Sequence, residues 1–190
     1  MTVTSTDIAN QAIYLMGNNQ AEPVTGTAPN FDDSAAGVAL RYLYSACVQT
    51  VGRQWEWDMA RNTVALSLSG NIAPSPWFYE YTYPANGVQV WQLCPATTTD
   101  YNDPRATNWV VANAVVSGTQ RRVIHTDLAN AIATYNNNPS EDSWDAGFRE
   151  AVVRLLASEL AIALGGQPET SKMYFETGTG IMNAAKARSD

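Results

Sequence analysis

The chain of 190 residues carries 18 acidic and 11 basic residues, a formal net charge of −7. This balance argues against a nucleic-acid reader, because phosphate binding needs a clustered cationic surface. Only 15% of the residues are charged, against roughly 25% in typical soluble proteins, which indicates that partners cover much of the surface. The two cysteines lie outside any C-x-x-C motif, which excludes a disulfide framework. The apolar runs are shorter than about 18 residues, which excludes a membrane-spanning helix. Without a basic, apolar leader, we expect synthesis and retention in the cytoplasm.

Two helices are predicted near the start of the chain. The first begins in the run Thr4–Asp7, which is rich in N-cap residues, and ends at Gly17, a typical C′ residue. The segment 18–30 is rich in Pro, Gly and Asn and is predicted to be a loop. Residues 32–34 then cap a second helix that reaches to about Arg53, with apolar residues recurring every three to four positions.

Alternating polar and apolar residues replace this periodicity after the second helix and predict strands. The predicted strands are 63–68, 77–83, 88–93, 122–125 and 131–135. Residues 109–112 and 115–116 flank Asn113, which predicts a turn or a short hairpin there. The segments 71–76 and 96–108 are predicted to be loops.

Helical periodicity returns after the breaker Asn136–Ser140. Ser143 is the predicted cap of a long helix, rich in alanine and leucine, that ends at Gly165. Pro168 begins a last helix, in which the glycines at 178 and 180 favour an interruption.

The order helix, helix, strands, helix, helix predicts an α+β fold. We expect a four-helix bundle, made of two N-terminal and two C-terminal helices, with a small, mostly antiparallel β insert. The predicted domains are a helical domain of residues 1–57 and 137–190 and an inserted β-rich domain of residues 58–136.

The stretch RQWEWDMA, residues 53–60, lies where the helical pattern gives way to the strands. Trp55 and Trp57 point to the same side if this segment is extended, and both rings can bury a large area. We therefore interpret the two tryptophans as a structural corner. The alternative is a carbohydrate-binding module or hydrolase in which Trp55 and Trp57 stack on a sugar between Glu56 and Asp58.

Candidate chemistry is sparse. His125 is the only histidine, which excludes a histidine-rich metal cluster, and we expect a structural or exposed position for it. The pairs Asp32-Asp33 and Glu141-Asp142 precede helices, where carboxylates cap free N–H groups. The sequence contains no P-loop and no G-x-G-x-x-G after a strand. We therefore predict a protein that is not an enzyme and has no metal, no catalytic residue and no cofactor.

Several segments, taken in order, resemble the tail tubular protein A family of phage head-to-tail adaptor (connector) proteins. The family's opening helix and turn are similar to the segment ANQAIYLMGNNQAEPV of this chain. Its second helix, aromatic corner and strand are similar to the segment GRQWEWDMARNTVAL. The family's aromatic strand resembles the segment WFYEYTYPANGVQVWQL. Its long helix, with the residues before it, resembles the segment TYNNNPSEDSWDAGFREAVVRLLASELAIALGG. The resemblance extends over essentially the whole chain. The Asn- and Thr-rich loop 95–108 departs from the family.

The resemblance implies a virion protein of the bacteriophage tail or neck that acts in genome packaging and DNA ejection. Such adaptors form a homo-oligomeric, dodecameric ring under the portal protein. The ring extends the DNA channel, through which DNA passes without specific binding, and provides the platform for the tail nozzle or tail tube. No membrane is involved. An alternative within phages is a head-completion, stopper or tail-terminator protein of a long-tailed virus.

On this interpretation the last two helices pack beside neighbours in the ring, the C-terminal end docks on the portal and loop 95–108 meets the tail. The ring-interface candidates are Arg149, Arg154, Ala157, Ala161, Met173 and Tyr174. The portal-docking candidates are Lys186 and Arg188, and the tail-side candidates are Tyr101, Asp103 and Arg105.

Overall fold

The computed structural model of the chain describes residues 2–17, 22–96, 108–165 and 168–189, the side chains of 186, 188 and 189 excepted. The helices are α1 (Ser5–Leu15), α2 (Ala35–Gln54), α3 (Ala146–Ala163) and α4 (Pro168–Ser189). The strands are β1 (Gly26–Thr27), β2 (Asn30–Phe31), β3 (Arg61–Ala65), β4 (Tyr79–Thr82), β5 (Gln89–Pro95), β6 (Trp109–Val116), β7 (Thr119–Thr126) and β8 (Ala131–Asn136). Two short 3₁₀ turns, Asp58–Ala60 and Glu141–Ser143, complete the elements.

The prediction of a four-helix bundle with a small β insert is wrong. The described residues form a mixed fold of four helices and eight strands, and the strands make three antiparallel sheets. The sheet orders are β1-β2, β3-β8-β5 and β4-β7-β6. Sequence periodicity underestimated the strands because two-residue strands such as β1 and β2 are too short to show an alternation.

The chain divides into two compact units, residues 1–59 with 138–190 and residues 60–137. We call the first the helical unit and the second the β unit. In the helical unit, α3 packs against α1, α2 and α4, and its own side chains Val152, Leu156 and Leu160 are fully buried.

Local signals place the helix starts. Thr4 caps α1 in a reciprocal capping box with Asp7, and Ser34 caps α2 by accepting from the Gly37 N–H. The cap of α3 is Asp145 and not Ser143, since the Asp145 carboxylate accepts from Phe148 N at 2.7 Å. α4 runs through both of its glycines without interruption, because Gly178 is buried against Arg154 of α3.

The β unit has a core of its own. One buried cluster contains side chains from both three-stranded sheets. It includes Tyr81 and Ile124 from one sheet and Val90, Leu93 and Ala133 from the other. Residues 109–116 form one continuous strand, so the predicted turn at Asn113 is wrong. The chain reverses instead at Ser117-Gly118, where both residues have positive φ (50° and 79°), as a two-residue hairpin with matching twist requires.

Candidate assembly surfaces

Of the two tryptophans of the aromatic corner, Trp57 is buried and Trp55 is half-buried. Trp57 is 4% exposed, and its indole N–H donates to the Val51 carbonyl at 2.9 Å. Val51 lies in the last turn of α2, where carbonyls run out of helical partners. The Trp57 ring also meets Phe148 edge-on, with centroids 5.1 Å apart. Trp57 therefore stabilises the end of α2 and ties it to α3.

The carbohydrate alternative needs both tryptophans at the surface. Trp55 is half-buried, but Trp57 is covered by the core of the helical unit. A ring that is only 4% exposed offers no open face on which a sugar could stack. This placement weighs against a sugar site between Glu56 and Asp58.

The six ring-interface candidates occupy different environments. Ala157, Ala161 and Tyr174 are buried inside the helical unit, and the Tyr174 hydroxyl donates to the Leu15 carbonyl. Arg154 pairs with Glu150 at 2.7 Å along α3. Of the six, Met173 is the apolar side chain that stands in solvent, at 52% exposure. Arg149 is half-buried and donates to the Trp144 carbonyl at 3.4 Å.

Two exposed apolar residues of α3 and α4 escaped the sequence analysis. Ile162 near the end of α3 is 64% exposed and Phe175 on α4 is 51% exposed. Together with Glu159 and Lys172 they line an open depression of about 560 Å³ between the two helices. We call Glu159, Ile162, Lys172 and Phe175 the α3–α4 face. An apolar surface beside charged side chains is typical of a protein contact.

A second open depression lies in the β unit and is lined by apolar and cationic groups. Its volume is about 630 Å³, and we call it the arginine groove after its main lining residues, Val64, Leu66, Tyr83, Pro84, Arg121 and Arg122. The Arg122 guanidinium lies over the Tyr83 ring, 3.7 Å from its centroid. Arg121 is exposed beside it, and the groove lining contains no carboxylate among the described residues.

The two units differ in charge. The β unit contains four basic residues (Arg61, Arg105, Arg121 and Arg122) and four acidic ones (Glu80, Asp100, Asp103 and Asp127), so it is neutral. The helical unit contains the other seven basic and fourteen acidic residues. The whole formal charge of −7 therefore belongs to the helical unit.

His125 is buried, not exposed, and it pairs with a buried carboxylate of the β unit. Its Nε2 lies 2.9 Å from Glu80 Oε2, and the Asn71 amide donates to the other Glu80 oxygen at 2.8 Å. Burial acts to raise the pKa of Glu80, but hydrogen bonds from Ser69, His125 and Asn71 outweigh it and hold the pKa below its usual value. No serine joins the pair as a nucleophile in the described hydrogen bonds of His125, and we assign it a structural role.

The remaining candidates are only partly described. The tail-side candidates Tyr101, Asp103 and Arg105 lie outside the described residues. The portal-docking candidates Lys186 and Arg188 lie in the last turns of α4, and their side chains are outside the description.

Two further properties hold for the part of the chain that the structure describes. It contains no group of three or more His, Cys, Asp or Glu side chains placed to hold a metal ion. None of its helices combines the length and the apolar character needed to cross a membrane. A comparison with protein-family models gives no match, and a comparison with curated proteins gives none either.

Proposed function

We propose that this protein is a structural subunit of a phage virion, a head-to-tail adaptor of the tail tubular protein A type. It forms a ring, dodecameric as in the family it resembles, under the portal protein, and it acts without catalysis or a cofactor. The ring extends the DNA channel and presents a platform to the tail nozzle or tail tube.

The observation that carries this proposal is the unequal distribution of charge between the units. An excess of seven carboxylates on the helical unit suits a channel wall, because carboxylates repel phosphates and let DNA pass without adhering. The exposed apolar residues Ile162, Met173 and Phe175 support it further, since such side chains are stabilised when a neighbouring subunit covers them.

The test is assembly with and without the portal. The purified protein is studied by light scattering and electron microscopy, alone and mixed with portal rings from the same virus, with portal rings from an unrelated virus as the control. We expect rings alone, or rings that form on the cognate portal only. A protein that stays monomeric and ignores the cognate portal refutes the proposal.

A further inference from the structure

We propose that the arginine groove and the outer edge of β3 bind an extended, acidic segment of a partner protein, which adds to the sheet as a further strand. This inference goes beyond the proposed function and does not rest on it. Every residue that carries it belongs to the β unit.

The backbone of β3 presents an edge to which another strand can be added. In the described part of the chain β3 lies at the end of its sheet and pairs with β8 alone. Backbone hydrogen bonds at Ala60 and Leu66, just before and just after β3, join it to β8 and the residues flanking β8, and the register between them is regular. Backbone groups alternate in direction along an antiparallel strand. Those of Val64 therefore face β8, whereas those of Thr63 and Ala65 point away from it.

This edge lacks the bulge and the proline that commonly protect an edge strand. At the opposite edge of the same sheet, β5 has a bulge between Val90 and Gln92 and ends in Pro95. β3 has a regular register and no proline, and its residues 63–65 are exposed. A regular, exposed edge of this kind is a template for strand addition, in which main-chain hydrogen bonds supply the affinity.

The arginine groove lies along this edge. The consecutive residues 64–67 line it on the side of β3, and residues 82–85 line it on the side of β4. Successive side chains of a strand point to opposite faces, so a lining of four consecutive residues places the groove at the edge of the strand. The two sides meet where the Thr82 N–H donates to the Ser67 carbonyl at 2.9 Å. A segment added to β3 therefore lies in the groove.

The charge of the groove determines the chemistry of the segment. The lining contains two arginines and, among the described residues, no carboxylate. Arg122 lies over the Tyr83 ring, 3.7 Å from its centroid, and Arg121 is its exposed neighbour. A guanidinium presents a planar fork of donors that matches a carboxylate. We therefore assign Arg121 as the partner of an aspartate or glutamate in the added strand.

A nucleic acid and a second copy of this chain are the competing occupants. A run of phosphates needs cations along its length, whereas this lining contains two arginines that are adjacent in sequence. A second copy that paired its own β3 here would bring Arg61 and no carboxylate, so its charge would not complement the groove. An acidic segment fits both the edge and the charge.

Peptide binding tests the assigned chemistry. Fluorescence polarisation measures the binding of a short labelled peptide in which valine alternates with glutamate, and the control peptide has lysine in place of glutamate. We expect saturable binding of the glutamate peptide, and we expect it to weaken at least about tenfold when the peptide carries lysine or the protein carries Arg121→Glu, because the charged pair is lost. Arg53→Glu makes the same charge change at an exposed position of the helical unit and is expected to bind as the wild type does.

Amide hydrogen exchange tests the strand addition separately from the charge. In the free protein the amides of Thr63 and Ala65 are expected to exchange faster than the amide of Val64, which faces β8. The glutamate peptide is expected to slow exchange at Thr63 and Ala65 at least about tenfold, because it accepts hydrogen bonds from them. Ala65→Pro removes an outward N–H, a change that edge strands tolerate, and is expected to abolish binding. A circular dichroism melt establishes that this variant is folded, and the exchange result does not depend on it.

Three results overturn the inference. They are a glutamate peptide that does not bind up to its solubility limit, a lysine peptide that binds equally well, or exchange at Thr63 and Ala65 that the peptide leaves unchanged. Self-association of the wild type that Ala65→Pro abolishes in sedimentation velocity overturns the assigned occupant in favour of a second copy. Binding of a short single-stranded oligonucleotide that Arg121→Glu abolishes overturns it in favour of a nucleic acid. The assay with cognate portal rings tests the proposed function separately, so either can fail without the other.

Discussion

Replacing Trp57 by alanine is expected to destabilise the helical unit by about 4 kcal/mol, within the range for removing a large aromatic side chain from a core. The side chain is 4% exposed, so nearly all of its apolar surface is withdrawn from water. It also contributes an edge-on contact with Phe148, a kind of contact worth about 0.5–1.5 kcal/mol. Against a total stability of about 5–15 kcal/mol, this loss leaves the unit marginal.

The variant Trp57→Phe separates the contribution of the indole hydrogen bond to stability from that of the packing of the ring. Phenylalanine keeps much of the apolar volume but removes the donor to the Val51 carbonyl. Loss of a partner to a buried acceptor costs about 1–3 kcal/mol, so this variant is expected to fall between the wild type and Trp57→Ala. Trp55→Ala is the matched control, and it is expected to cost less than Trp57→Ala because Trp55 is only half-buried.

Urea unfolding followed by far-ultraviolet circular dichroism measures these differences. With a slope of about 2 kcal/mol per molar urea, a loss of about 4 kcal/mol moves the midpoint of Trp57→Ala down by about 2 M. Acrylamide quenching gives a second readout: because the chain contains six tryptophans, the accessibility of Trp57 is taken from the difference between the Trp55→Phe variant and the Trp55→Phe/Trp57→Phe variant. Equal costs at the two positions, or ready quenching attributable to Trp57, would refute the assignment of this residue as a buried corner.

Four further predictions concern the helical unit. Gly37→Ala is expected to destabilise it, because a Cβ there would lie 2.3 Å from the Asp32 carbonyl oxygen; the midpoint of urea unfolding checks this, and an unchanged midpoint contradicts it. Hydrogen bonds, that from Ser34 foremost, lower the pKa of Asp32 to about 2, so its contribution to stability is present above pH 4 and is lost as the pH falls towards 2. Asp32→Asn should therefore flatten the dependence of stability on pH in that window, and a wild-type profile in the variant argues against the assignment. Burial, reinforced by the charge of Glu159, raises the pKa of the Cys47 thiol to about 12. The thiol is then neutral in the folded state, and stability falls between about pH 9 and 12 as the unfolded thiol ionises, at up to about 1.4 kcal/mol per pH unit. Cys47→Ala should show a shallower alkaline decline, and an identical decline refutes the attribution. Leu160→Asp places a charge at a fully buried position of α3 and should prevent folding, whereas a cooperative melt close to that of the wild type contradicts the packing described for α3.

Helix positions were predictable because their signals are local. N-cap residues such as Thr4 and Ser34 bond to backbone groups within three residues, so the sequence carries both partners of each bond. The change from helical to alternating periodicity likewise located the strand-rich segment. The same locality explains the error at α3, where Ser143 and Asp145 are both competent caps; in the structure Ser143 belongs to the preceding 3₁₀ turn and Asp145 caps the helix.

The sequence by itself determined the order of the four helices, the place of the strand-rich segment between the second and the third, and the acidic charge, and it indicated the importance of the tryptophan corner. Only the tertiary structure decided which side chains are covered. Trp57 is buried while Trp55 is half-exposed, and His125 meets Glu80 from 45 residues away. The arginine groove joins Val64, Tyr83 and Arg121 from separate strands and loops. Such long-range groupings depend on how sheets and helices pack, and side-chain spacing along the chain contains no record of that packing.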